Sequence, residues 1–121
     1  MSEKQHFCHQ VVSQLTLCGP VMARAMFGGY GLYCEGTMFA LIADRELYFK
    51  VDDKNRADYE RAGMVPFVYE GKHKPIAMSY YRLPADVFEN VEMLSEWMDK
   101  ARAAATRAKR PKRNLHATTR H

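Results

Sequence analysis

Apolar residues change rhythm as the chain is read. Phe7, Val11, Leu15 and Cys18 recur at spacings of four, four and three, one stripe of a helix over residues 3–17. Ser2 stands at the N-cap position with Gln5 three residues on, a capping box, and Gly19–Pro20 ends the helix. From Val21 the period shortens. VMARAMF alternates in part, GGYG interrupts it, LYC leads into the turn Glu35–Gly36, and TMFALIA and LYFKV flank the polar turn Asp44–Arg45–Glu46. Short apolar runs joined by polar turns predict an antiparallel meander.

Asp52 or Asp53 is placed to cap a short helix through KNRADYERA, which Gly63 ends. MVPFVYEGKHKPIAMSYYRL reads as a further hairpin, with strands near Phe67–Tyr69 and Ile76–Leu83 and prolines at the strand starts, where a missing N–H costs least. Asp86 is the expected N-cap of a last helix whose apolar stripe is Val87, Val91, Leu94, Met98 and Ala101. Beyond it, RAKRPKRNLHATTRH has no apolar period and predicts a disordered tail. The expected organisation is one domain over residues 1–105 and a basic tail over 106–121. Its class is α+β: an antiparallel sheet of about five strands flanked by N- and C-terminal helices.

Charge sharpens that division. Residues 1–99 carry 10 Lys/Arg and 14 Asp/Glu, whereas residues 100–121 carry eight Lys/Arg and no carboxylate. A mildly acidic body with a strongly basic end is a pattern of interaction tails. Apolar residues at 47% suffice for a packed core. No run reaches the ~20 residues of a membrane span, and the charged N-terminus does not read as a secretory signal. Three cysteines without regular spacing argue against a disulfide framework, so a cytoplasmic location is expected, with no membrane contact.

The strings ARAMFGGYGLY (residues 23–33), LYFKVD (47–52), NRADYERAGMVPFVYEGKHKP (55–75) and MSYYRLPADVFEN (78–90) resemble the N-terminal domain of the TfoX/Sxy family, the bacterial competence regulators. The resemblance covers about residues 5 to 105. It implies a secretion-chaperone-like α+β fold, a stand-alone single-domain form, no cofactor and no catalytic residues. It also implies a role in transcription regulation beside a DNA-bound activator of the cyclic-AMP-receptor type.

The residues themselves offer a few candidate sites. Gly28, Gly29 and Gly31 suggest a phosphate cradle, with Arg24 on the preceding strand to supply charge. The Lys and Ser/Thr of a P-loop do not follow them, and strand residues do, so turn or bulge glycines are the simpler account. His6, Cys8 and His9 cluster in the first helix without a finger-like spacing to Cys18 or Cys34. Cys34 and His73 are the one nucleophile–base pair worth testing, and His73 lies in a lysine-flanked loop. Tyr80, Tyr81 and Arg82, with Tyr48 and Phe49, form a possible aromatic platform. Alternation places Tyr80 and Tyr81 on opposite faces, so one of them belongs to the core. Arg107, Lys109, Arg110, Lys112 and Arg113 are the candidate nucleic-acid contacts; a flexible tail reads phosphate charge rather than base edges.

These readings favour a non-catalytic regulatory or adaptor domain that binds a protein partner, with weak non-specific nucleic-acid contact through the tail. An exposed sheet edge makes a homodimer a further expectation. The alternative is a small-ligand sensor built on the glycine-rich turn.

Overall fold

The computed structural model describes residues 2–26, 28–70 and 75–109. Helix α1 (Glu3–Leu15) is followed by strands β1 (Met22–Met26), β2 (Gly29–Cys34), β3 (Thr37–Ala43) and β4 (Glu46–Lys50). Then come α2 (Arg56–Arg61), β5 (Pro66–Glu70), β6 (Pro75–Arg82), α3 (Ala85–Glu89) and α4 (Val91–Lys109). The strands form one antiparallel sheet of order β1-β2-β3-β4-β6-β5. The α+β class stands, with six strands in place of about five. The first of them, β1, pairs back on β2 from Met22↔Tyr33 to Met26↔Gly29.

Local chemistry explains the turns. Glu35 and Gly36 both have positive φ (51° and 84°), as do Asp44 and Arg45 (51° and 60°). Paired left-handed residues twist a two-residue hairpin in the sense of its flanking strands. The Ser2–Gln5 capping box is present in full. The other expected caps shift. Asn55, not Asp52 or Asp53, precedes α2, and its side chain instead spans the Asp52 N–H and the Lys50 carbonyl. The last helix breaks at Asn90, whose side chain accepts from the Met93 N–H; Asp86 lies in the first turn of α3, after Pro84. α4 runs to Lys109, so residues 106–109, expected to begin the tail, are its last turn. Residues 110–121 lie outside the described residues.

All four described helices contribute to one side of the sheet. Val11 and Leu15 of α1, Tyr59 of α2, Val87 of α3, and Leu94, Met98 and Ala101 of α4 pack with Leu32, Phe39, Ala40 and Phe49 in a single core. A register shift between Leu32 and Tyr33 leaves Phe39 as an extra residue, since Leu32 pairs with Ala40 but Tyr33 with Met38. The bulge turns both Phe39 and Ala40 inward, and Met38 consequently faces the side away from the helices.

Candidate functional site

Cross-strand partners share a face of the sheet, so the register defines the side that no described helix covers. Gly31, Leu41, Tyr48 and Arg82 form one row across β2, β3, β4 and β6. Arg24 lies opposite Gly31, and Tyr80 opposite Lys50. Between them runs a groove of about 440 Å3, lined by Met26 of β1, Met38 and Leu41 of β3, Met78 and Tyr80 of β6, and Phe67 and Tyr69 of β5. Its side chains are almost wholly apolar. Leu41 is only 8% exposed although no described helix lies on it, since it shares the groove with the side chains around it; Met78 (38%) and Tyr69 (40%) are more open.

Gly31 sets the floor of this groove. A Cβ there would stand 3.0 Å from the Met26 sulfur and 3.1 Å from that of Met38. The glycine lets both thioether chains lie against the strand. Its neighbours in the GGYG run have other tasks. Gly28 occupies the β1–β2 turn with φ of 77°, and its carbonyl accepts from Lys4 Nζ at 3.4 Å. At Gly29 a Cβ would fall 2.0 Å from the Ile42 carbonyl oxygen, a contact only glycine permits. The structure therefore separates the three glycines among a turn, a close backbone approach and the groove floor, with Arg24 across the strand from the last.

The open face is basic at its border and dry at its centre. The Arg24 guanidinium stands 5.7 Å from the Tyr33 ring centre. Lys50 Nζ lies 5.0 Å from that of Tyr80 and donates to Ser79 Oγ at 2.6 Å. Arg82 pairs with Glu46 at 2.9 Å. Burial holds the Lys50 ammonium below its ordinary pKa, partly opposed by Asp52. Burial also raises the Tyr80 phenol, helped by Tyr33, and the Tyr48 phenol, helped by Glu46. These shifts all favour the neutral form, the mark of a surface poor in water.

The aromatic platform resolves as alternation required. Tyr81 packs on the helix side against Tyr59, Phe49 is fully buried, and Tyr80 and Tyr48 take the open face. Phe67 joins Tyr48 edge-on at 5.1 Å. Nothing in the sequence places Phe67, Met26 and Met38 together, because that grouping depends on the bulge and on β5 closing the sheet beyond β6.

The other candidates are dispersed. His6 and His9 are exposed on α1 while Cys8 is buried, its thiol pushed up by burial. Burial likewise raises Cys18, with Asp99 adding and Ser95 opposing. Among the described residues no group of three His, Cys, Asp or Glu converges on a metal-sized space. Cys34 is buried, and His73 lies outside the described residues. Of the basic candidates, Arg107 is engaged by both oxygens of Asp52, at 2.6 and 3.0 Å, and Lys109 donates to Thr37 Oγ1 at 3.2 Å. Arg110, Lys112 and Arg113 lie outside the described residues. No described helix is long and apolar enough to cross a membrane.

Comparison with known proteins gives a consistent answer. The TfoX N-terminal domain family matches residues 13–105. Protein Sxy of Escherichia coli K12 is 26% identical over 76 residues, covering 63% of this chain and 36% of the relative. DNA transformation protein TfoX1 of Aliivibrio fischeri ES114 is 29% identical over 87 residues, covering 72% of this chain and 41% of the relative. The chain thus spans about two-fifths of the length of these relatives.

Proposed function

From the premise that the chain belongs to the TfoX N-terminal domain family, we propose that it is a non-catalytic regulatory domain acting in the control of DNA transformation. It works in the cytoplasm by docking a protein partner on the open face of its sheet. We take that partner to be a DNA-bound transcriptional activator, the role that the family resemblance implies. The basic residues at the C-terminal end add sequence-independent attraction to the nearby phosphates, and joining two weak contacts raises avidity.

One observation carries this reading: one side of the sheet is closed by helices, and the other holds an apolar groove, with Arg24 and Lys50 on the same face. Apolar surface of this kind, rimmed by polar groups, is characteristic of interaction sites. The name of the Aliivibrio relative supplies the biological context.

The test is site-specific photo-crosslinking from Met78 in living cells, compared between the wild-type chain and Met38→Glu. A discrete protein adduct is expected, lost in Met38→Glu while thermal melting is nearly unchanged. An adduct indifferent to Met38→Glu, or lost only on removal of residues 110–121, contradicts docking on this face.

A further inference from the structure

We propose that the groove takes an amphipathic helix of the partner, with aliphatic anchors on one side and carboxylates flanking them. This rests on the docking reading above and specifies its occupant.

The direction of the groove comes first. Its lining passes from Met26 on β1, through Met38 and Leu41 on β3, to Phe67 on β5, crossing the strands rather than following one. Five inter-strand steps of ~4.8 Å give a track of roughly 24 Å, the length of a helix of about 16 residues. The lining comes next. Met26, Met38 and Met78 are unbranched and adaptable, and such side chains repack around aliphatic anchors. The groove offers a small polar metabolite few groups to fix its orientation.

Charge selects the flanks. Arg24 is exposed and makes no ion pair with any described residue, and Lys50, likewise without an ion pair among the described residues, is held by the Ser79 hydroxyl and the Tyr80 ring. Arg24 stands two residues from Met26 on β1 and opposite Gly31, on the same face as the groove, so a carboxylate flanking the anchors at that end comes within its reach. The same features disfavour single-stranded nucleic acid. The Tyr33 and Tyr80 rings already carry their own cations, and Tyr48 and Phe67 are packed edge to face, so their faces are not presented for stacking. Among the described residues a second copy of the chain offers no free helix of this length, since α1 and α4 bury their apolar stripes in the core.

The experiment titrates the whole chain with a synthetic helical peptide of about 16 residues, leucines on one face and glutamates beside them. Its lysine counterpart, an oligothymidine and the chain alone at rising concentration are run in parallel. The acidic peptide is expected to bind saturably. Arg24→Glu should weaken it about tenfold while favouring the lysine peptide, and Met38→Glu should abolish both. Met78→Glu, at an open position, serves if Met38→Glu does not fold. No binding of the acidic peptide, equal binding of both peptides, or groove-dependent binding of oligothymidine overturns the proposal. Self-association removed by Met38→Glu overturns it as well. A partner adduct that requires Met38, together with a peptide that does not bind, rejects the helix alone and leaves docking intact.

Discussion

Two adjacent rows of the sheet differ by one residue in each strand. Leu32, Ala40, Phe49 and Tyr81 face the helices, and the first three are wholly buried. Gly31, Leu41, Tyr48 and Arg82, one step along, face the other way. The first row is closed by α1 and α4 and holds the fold together. The second is just as apolar near its centre, yet no described helix covers it. A sheet needs only one packed face to be stable, so the second is available for recognition. The contrast implies that substitutions on one row are read in stability and on the other in binding.

The sharpest way to break that contrast is Phe49→Ala against Tyr48→Ala. Phe49 is 0% exposed and meets Phe39 edge-on at 5.7 Å. Its loss should cost about 3–5 kcal/mol through lost burial and the residual cavity, seen as a lower urea midpoint. Tyr48→Ala should cost clearly less. Equal losses would mean that the open face is part of the core.

Next in size is Gly29→Ala. The new methyl group would overlap the Ile42 carbonyl oxygen, which belongs to backbone and cannot swing aside. A loss of about 1–3 kcal/mol is expected, again from denaturant unfolding. A neutral outcome would show that β2 and β3 separate easily at this end.

The sequence made much of the helix-side row legible, and much less of the other. The stripes of α1 and α4, the turns at Glu35–Gly36 and Asp44–Arg45, and the opposed faces of Tyr80 and Tyr81 follow from local periodicity. The start of β2 is obscured by GGYG, which reads as an interruption although Gly29 and Gly31 lie within that strand. The groove depends on events that periodicity cannot encode: a bulge that reverses Met38, and a crossover that puts β6 between β4 and β5. The partner of Arg107 was equally hidden, because Asp52 lies 55 residues away and reads locally as a helix-start acid.

That pair gives a smaller prediction on the helix side. The Arg107 guanidinium, bonded to both carboxylate oxygens, holds the Asp52 carboxyl below its ordinary pKa of 3.8; burial opposes this and the Lys54 N–H supports it. The folded-state pKa is the lower one, so the stabilisation is fully present above 3.8 and is lost as pH falls through the folded value. Asp52→Asn should cost about 1 kcal/mol at neutral pH, the scale of a part-exposed bidentate pair. The gap from wild type in denaturant midpoint should narrow as pH falls below 3.8 and through the folded value. A gap that persists in acid would assign the effect to packing.

The smallest expected change in stability is also the most informative about the open face. Gly31→Ala adds a methyl group at 3.0 Å from one methionine sulfur and 3.1 Å from another. Both are ends of flexible side chains, so they move aside, and Gly31 does not need a left-handed backbone. Loss of the glycine's excess freedom in the unfolded chain offsets part of the crowding. The net stability change should stay below about 1 kcal/mol. Both methionines line the groove, so their displacement reshapes it, and a shallower groove accepts anchors less well. Gly31→Ala should therefore weaken partner crosslinking from Met78 while leaving the urea midpoint almost unmoved. Gly29→Ala, two positions away, should do the reverse, lowering the midpoint while whatever folds retains the groove. If instead both substitutions move stability and binding together, the two rows are mechanically one unit, and the division of the sheet into a structural face and a recognition face does not hold.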